Sequence, residues 1–318
     1  MRDVRNVNVC VIGGAGFLGS HLVNYLIDNK KSTVLVLDNL ISGLRKNINS
    51  HAKFMEYDIR NNEVGLTAIL KTHQIKYVFN YAAEPYIPEC FERPLDFFEI
   101  NATAVLRVLN ACQAADVKAL LQVSSAEIYG EAKGRITEDT PIIPHSTYGV
   151  SKVAADGLVQ VRWKEAQVPA IALRQFNCIG ERETHDYVVP EIISQLHVTP
   201  GVVRLGNNSY RDFLYAGDAV QMAVELLECG QFGQVYNMGS EVGIKIYDLA
   251  KMIGGLMGQG DIQIISDSNR ERPWEIWRLE SDNTKLHKTI RKRPTVSLEG
   301  ALQYTIDYFR KNGNKWDW

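Results

Sequence analysis

The chain has 318 residues, 45% hydrophobic and 23% charged, with a formal net charge of -2. That length is generous for one core and implies a large domain with a smaller one attached. The charge leaves no basic surplus for nucleic acid or an acidic membrane, and no apolar run approaches the ~18 residues of a membrane span.

From the N-terminus, "VNVCVIGG" reads as a strand and "FLGSHLVNYLIDN" as a helix. "TVLVLDN", "KFMEYD" and "YVFNYAA" read as strands two to four. "PLDFFEINATAVLRVLNACQAADV" is one long helix and "KALLQVSS" a fifth strand. A helix over about 148–166 and the strand "PAIALRQFN" follow. Strand and helix in alternation imply parallel strands with crossover helices, so the fold class is α/β with a Rossmann-type parallel sheet.

After Asn177 the rhythm breaks. Loops lengthen, and prolines, tryptophans and arginines enter. The first domain is expected over 1–177, rejoined by about 212–240, where "RDFLYAGDAVQMAVELLE" reads as a strand and helix returning to it. Residues 178–211 and 241–318 form a smaller mixed α/β substrate domain that ends in the amphipathic helix "SLEGALQYTIDYFRK". The "RKR" at 291–293 reads as a solvated helix end.

Cys10, Cys90, Cys112, Cys178 and Cys229 are odd in number and scattered, without CxxC spacing. That argues against a disulfide framework or a metal site and for reduced thiols in a cytoplasmic protein. The apolar run at 7–12 is short and ends in glycines, so no signal peptide is expected.

"VIGGAGFLGSHL" sets Gly13, Gly16 and Gly19 between the first strand and the first helix. A pyrophosphate needs the bare N–H groups of a helix N-terminus, and side chains there would block it. Asp38 ends the second strand about twenty residues on, as the dinucleotide-binding pattern requires. Its carboxylate can accept from ribose hydroxyls and repels a 2′-phosphate, which selects NAD over NADP. A second glycine-rich run, "IGGLMGQG" at 253–260, ends a helix and follows no strand, so it reads as a cap and loop.

"TYGVSK" places Tyr148 and Lys152 four apart, on one helix face. An ammonium beside a phenol would lower its pKa and make a general base of it near neutrality. "YDLAK" repeats the spacing with Tyr247 and Lys251, but in the second half of the chain and without a strand ending in "SS" before it. It reads as an ordinary surface helix.

The glycine loop, Asp38, "AA" after strand four, a serine after strand five and the tyrosine–lysine pair together resemble the extended short-chain dehydrogenases/reductases. More narrowly, they resemble the nucleotide-sugar 4,6-dehydratases, 4-epimerases and decarboxylases, over nearly the whole length. The resemblance implies that Tyr148 takes the sugar C4 hydroxyl proton, Lys152 tunes it and holds the nicotinamide ribose, and Ser125 bonds the C4 oxygen. It implies NAD contacts at Gly13, Gly16, Phe17, Leu18, Asp38, Asn39, Ser42, Gly43, Asp58, Ile59, Ala82 and Ala83, besides Tyr148 and Lys152. It places a nucleotide-diphosphate sugar, expected to be UDP-linked, on Glu84, Ser125, Asn177, Arg211 and Arg272. Guanidinium forks suit a diphosphate. Trp274 departs from the glycine that is usual after the proline. A homodimer through helices around 94–115 and 146–166 is also implied.

"VSSAEIYG" then separates the reactions. The related dehydratases carry Asp then Glu here, the glutamate to take the C5 proton and the aspartic acid to protonate the departing C6 hydroxyl. This chain has Ala126 and Glu127. Three readings stay open. One is a 4,6-dehydratase whose leaving-group acid is elsewhere. A second takes a 5,6-ene already formed, as in the split UDP-GlcNAc dehydratase pair of some bacterial routes to pseudaminic acid. The third is a 4-epimerase that carries a glutamate. A decarboxylase also keeps the glutamate alone. A dinucleotide-sensing regulator is the non-catalytic alternative, against the intact serine, tyrosine and lysine.

Overall fold

Short β-branched runs supply the strands and longer amphipathic runs the helices of the first half. The computed structural model describes residues 2–272 and 274–316. It opens with β1 (Asn8–Ile12), α1 (Phe17–Asp28), β2 (Thr33–Asp38), β3 (Lys53–Glu56), α2 (Glu63–Thr72) and β4 (Tyr77–Asn80). Then come α3 (Ile87–Cys90), α4 (Pro94–Phe98), α5 (Ala104–Ala114), β5 (Ala119–Ser125), α6 (Thr147–Ala166) and β6 (Ala170–Gln175). The second half holds β7 (Asn177–Ile179), α7 (Val188–Val198), β8 (Val202–Leu205), β9 (Tyr210–Tyr215), α8 (Ala216–Cys229) and β10 (Val235–Met238). It closes with β11 (Gly243–Lys245), α9 (Ile246–Leu256), β12 (Gln263–Ser266), β13 (Arg278–Leu279), α10 (Thr284–Thr289) and α11 (Leu298–Lys311).

Seven strands form one parallel sheet in the order β10-β6-β5-β4-β1-β2-β3. Helices cover both faces, which is why these strands read as unbroken apolar runs. Leu22, Val23 and Leu26 of α1 and Met222 and Leu226 of α8 fill one side. Leu66, Leu70, Val105, Leu109 and Val159 fill the other. Each such side chain, fully buried, stabilises by ~1.5–3 kcal/mol. Strand order reverses between β1 and β4, and the crevice beyond their C-terminal ends is where such a sheet binds ligands.

The strand in "RDFLY" corrects an expectation. It does not return to the first sheet but pairs with β11, β13 and β7 in a smaller sheet. Its buried Arg211 and Asp212 need polar partners, which they find in Glu275 and Ser281 rather than in an apolar sheet. The helix that follows it, α8, does pack on α1, and β10 adds the outermost strand beside β6. Helix α2 was not anticipated; Asn62 caps it by accepting from Gly65 N at 2.5 Å. The long helix at 94–117 is interrupted by a π turn, Glu99–Thr103, a local widening common at functional sites. That turn presents Asn101, which accepts from Glu84 N at 3.1 Å and donates to Glu84 O at 3.0 Å. The run at 253–260 is a cap and loop as expected, with Gly258 and Gly260 at positive φ.

Helices α7, α9 and α11 share a third core through Ile192, Leu249, Leu302 and Phe309. Among the described residues, no helix is long and apolar enough to cross a membrane, and no cluster could hold a metal ion.

Candidate active site

The turn between β1 and α1 is shaped by close approach. Gly13 has φ +77°, and a Cβ there would meet the Tyr81–Ala82 backbone at 2.6–2.9 Å. A Cβ on Gly19 would lie 2.0 Å from Gly13 O. Gly16 is different, because a Cβ there would meet only Gly13 O, at 3.4 Å. Its bareness leaves the open side of the turn clear. Gly16 also starts α1 without a side-chain cap and with no acid in the first turn, whereas Asn62, Ser146 and Ser297 cap α2, α6 and α11. An uncapped N-terminus behind glycines keeps its N–H groups, those of Phe17 and Leu18 among them, available to an anion.

Asp38 sits at the end of β2, nearly buried. Its carboxylate accepts from Ala15 N and Leu40 N, both at 2.9 Å. Burial raises its pKa, and the two N–H groups pull it back. A Cβ on Gly43 would come within 2.7 Å of this carboxylate, so Gly43 lets the following loop, with Ser42, fold over it. Asp58 is fixed by Arg60 at 2.6 Å and by Asn39 at 3.0 Å, and the Arg60 hydrogen bond chiefly holds it down to about 2. Ile59 is buried beside it. These residues, with Ala82 and Ala83 after β4, ring the C-terminal ends of β1 to β4. An open glycine cradle, an uncapped helix and a seated carboxylate fit a dinucleotide.

Across the crevice, β5 ends at Ser125 and runs into a 3₁₀ turn, Ala126–Tyr129. The Ser125 hydroxyl accepts from Glu127 N at 3.2 Å, and it pulls the Tyr148 phenol pKa down. A buried chain anchors the turn to the sheet. Asp156 of α6 pairs with Arg174 at 2.6 Å, Arg174 donates to Tyr129 Oη at 2.6 Å, and Tyr129 donates to Asn237 Oδ1 at 2.7 Å. Helix α6, strands β6 and β10 and the turn are thereby held in one register.

Tyr148 is 6% exposed and Lys152 2%. The Lys152 ammonium lies 5.8 Å from the phenol ring centre and donates to Val123 O at 3.4 Å. The expected lowering of the phenol is corrected here. Burial pushes the Tyr148 pKa up, and what pulls it back is Ser125, not the lysine. Burial also brings Lys152 down to about 8, with Asp156 opposing. In the protein alone, desolvation outweighs the attraction between the two groups.

An open cleft lies beside this turn, lined by Glu127, His145, Ser146, Arg211, Arg272 and Glu275, with Ile87, Phe91 and Trp274 among its apolar walls. Glu127 is not the solvent-facing acid its loop position allows. Burial raises its pKa, Arg211 and Arg272 lower it, Glu275 raises it and His145 lowers it. Arg211 is buried and bonded to the Glu275 carboxylate. Arg272 is exposed, and its backbone N–H donates to Asn207 Oδ1 at 2.7 Å. Trp274 is 71% exposed at the rim. Asn177 is not in the cleft lining; its amide donates to Asp212 O at 3.3 Å. Glu84 is locked by Asn101 and lies 3.9 Å from Arg93.

His145, Glu275, Asn101 and Tyr187 carry no sequence signal of the kind used above. The first two lie in loops, and Asn101 reaches Glu84 only because the helix widens into a π turn. Tyr187 packs edge-on to Tyr86 at 6.1 Å, and burial raises its pKa well above the ordinary value. Tyr247 donates to Gly206 O at 3.1 Å, and Lys251 pairs with Asp248 at the surface, far from any strand end of the large sheet.

The model of the NAD dependent epimerase/dehydratase family matches residues 9–239. The dTDP-D-glucose 4,6-dehydratase of Mus musculus is 28% identical over 329 residues, covering 97% of this chain and 90% of the mouse protein. The UDP-glucose 4-epimerase of Thermotoga maritima, solved with UDP-glucose, superposes with a TM-score of 0.89 at 29% identity, covering 96% of this chain and 99% of that one. The UDP-glucose 4-epimerase of Thermus thermophilus, solved with NAD, gives 0.87 at 28% identity, with 95% and 99% covered.

Proposed function

The chain belongs to the NAD-dependent epimerase/dehydratase family, and on that footing we propose that it works at two adjacent sugar carbons, by C4 hydride abstraction and C5 proton transfer, as a nucleotide-sugar dehydratase of the 4,6 type. The substrate we propose is a UDP-N-acetylhexosamine, or its 5,6-ene, and the product a 4-keto-6-deoxy sugar. One observation carries the reading. Within three residues, the end of β5 and the turn after it supply a hydroxyl that lowers the pKa of the Tyr148 phenol (Ser125) and a carboxylate that lines the cleft (Glu127).

NAD, when bound, supplies the hydride acceptor. The cradle of Gly13 and Gly16, the N–H groups of Phe17 and Leu18, and Asp38 would hold its diphosphate and adenosine ribose. Lys152 would hold the nicotinamide ribose. Tyr148 takes the C4 hydroxyl proton while Ser125 fixes the C4 oxygen. Once C4 is a ketone, the C5 proton is acidic and Glu127 moves it. Arg211 and Arg272 bind the diphosphate, which requires Arg211 to exchange Glu275 for phosphate oxygens. Leu95 and Phe98 of the α4 segment and Val150 and Val161 of α6 are exposed, an apolar face suited to pairing with a second copy.

Incubation with UDP-GlcNAc, its 5,6-ene and dTDP-glucose in deuterated water tests the reading by mass spectrometry and NMR. Solvent deuterium at C5, with C4 hydride recovered at C6, is the expected result. A 4-epimerase is the second reading. It is favoured by Ala126, buried among Ile128, Tyr129 and Phe176 where a second acid would be needed. It would give a C4 epimer with no deuterium at C5.

A further inference from the structure

Water loss from C6 requires a proton donor, and the turn that carries Glu127 does not provide one. Ala126 is buried in an apolar cluster with Ile136, Ile276 and Leu279. The acid has to enter the cleft from another element. We propose that His145 is that donor, a catalytic residue that protonates the departing C6 hydroxyl while Glu127 takes the C5 proton. This rests on the dehydratase reading.

Three observations converge on the imidazole. First, His145 directly precedes Ser146, the N-cap of α6, whose hydroxyl accepts from Gly149 N at 3.0 Å. The helix that positions Tyr148 therefore also positions His145. Second, Gly130 ends the Glu127 turn at φ +63°, and a Cβ there would lie 3.0 Å from both Cδ2 and Nε2 of His145 and 1.9 Å from Ile143 O. The positive φ and the Ile143 carbonyl demand glycine there, and the imidazole lies against the same residue, three positions after Glu127. Third, His145 and Glu127 line the same cleft.

Elimination among the cleft's ionisable groups leaves the same residue. Arg211 and Arg272 do not release protons near neutrality. Glu275 sits on Arg211, which by the reading above is the diphosphate end of the cleft and not the C6 end, and Glu127 is the C5 base. The Ser146 hydroxyl is engaged as the helix cap. Imidazole is the side chain able to give a proton at neutral pH and regain it from water, and His145 is partly exposed.

The step balances. From the C4 ketone, the Glu127 carboxylate accepts the C5 proton. The electrons of the C5–H bond become the C5–C6 double bond, the C6–O bond breaks with its pair, and the His145 imidazolium proton leaves with that oxygen as water. Glu127 ends protonated and His145 neutral. Glu127, its carboxyl proton exchanged with solvent, protonates C5 as the hydride taken from C4 is delivered to C6.

The test compares the whole protein with its His145→Gln variant on UDP-GlcNAc and dTDP-glucose in deuterated water. It adds the 6-deoxy-6-fluoro analogue of whichever sugar reacts. Fluoride is a far better leaving group than hydroxide and has much less need of an acid. The variant should lose water more slowly by ~10²–10⁴-fold, the usual worth of general acid catalysis. It should keep C4 oxidation, C5 exchange and its melting temperature, and should expel fluoride at close to the parent rate. Parent-rate water loss in the variant overturns the assignment. Equal slowing of water loss, fluoride loss and C4 oxidation overturns it too, by showing a structural role. If the parent protein exchanges C5 and loses no water from either sugar, His145 is not a leaving-group acid, while the C4 and C5 chemistry stands. If the parent neither oxidises C4 nor exchanges C5, the dehydratase reading falls and the assignment with it.

Discussion

Helices α6 and α9 each carry a tyrosine with a lysine four residues on. In α6 both are buried, against the end of β5 and the Ser125 hydroxyl, and the ammonium faces a backbone carbonyl and the phenol. In α9 the phenol donates to Gly206 O, and the lysine, 64% exposed, lies 3.7 Å from Asp248. Spacing puts each pair on one helix face. What differs is the surroundings. Of the two, only α6 packs against the C-terminal end of β5 and the turn that follows it. Burial there shifts both groups, raising Tyr148 and lowering Lys152 to about 8. Pairs at equal spacing can differ entirely in chemistry, and desolvation makes the difference.

The strongest way to break this contrast is to remove both phenol oxygens. Tyr148→Phe should reduce turnover by ~10²–10⁴-fold, because it deletes a proton acceptor used in the transition state. Substrate affinity, measured by calorimetry, should hold. Tyr247→Phe should leave turnover unchanged. Steady-state kinetics on the two variants decide it, and equal losses would mean that the buried pair is not the catalytic one.

Glu127→Gln extends the comparison from the helix to the facing turn. C4 oxidation should continue while C5 exchange falls by ~10²-fold or more, so NADH absorbance should accumulate. The parent enzyme should also show an acid limb in its exchange rate. Burial raises the Glu127 pKa, and the base must be ionised, so exchange should fail as pH drops through a value above the ordinary glutamate range. A C5 exchange profile against pH that is flat down to that range would remove Glu127 from the mechanism.

How much of this was legible follows from how each part is built. The large sheet declares itself because strands buried on both faces must be apolar throughout, and the glycine turn because Gly13 and Gly19 are demanded by backbone contacts within one supersecondary unit. Tyr148 and Lys152 were readable once their helix was tied to the "SS" strand end. The cleft was legible in part: the resemblance named Glu127, Arg211 and Arg272, which line it, whereas His145 and Glu275 come from separate loops that reach it only in the folded chain. Strand β9 was misplaced because a short run holding Arg and Asp gives no clue to which sheet can satisfy them. Asn101 was hidden by a π turn that no periodicity signals.

Lys152→Met sharpens the comparison through stability, with the cofactor removed. A lysine held at about 8 in the folded protein binds protons less readily than in the unfolded chain. The folded state is therefore penalised fully below pH 8, and the penalty fades as pH rises through the window up to the ordinary lysine value. At pH 7 the variant should be more stable than the parent, by up to about 3 kcal/mol from the shift in pKa, though it loses catalysis. The gain should vanish by about pH 10.5, near the ordinary lysine value. Lys251→Met should show neither effect. Melts at the two pH values report this, and a gain at both would mean that packing, rather than charge, is responsible.

The smallest effects belong to the α9 pair. Lys251→Ala breaks an ion pair between two side chains that are mostly exposed, a contact worth ~0–1 kcal/mol and commonly nothing measurable. Tyr247→Phe removes a hydrogen bond to Gly206 O from a half-buried phenol, which should cost about 1 kcal/mol in a denaturant melt. Its position adds one further expectation. A Cβ on Gly206 would lie 2.2 Å from Arg270 O, so the strip that accepts the phenol hydrogen bond is packed against the loop that leads to Arg272. If α9 acts on the cleft at all, it does so by bracing that loop. Tyr247→Phe should then raise KM slightly with kcat unchanged, because Arg272 binds substrate and transition state alike. A fall in kcat instead would place α9 in the chemistry, and the contrast between the two tyrosines would fail from the side on which it looks safest.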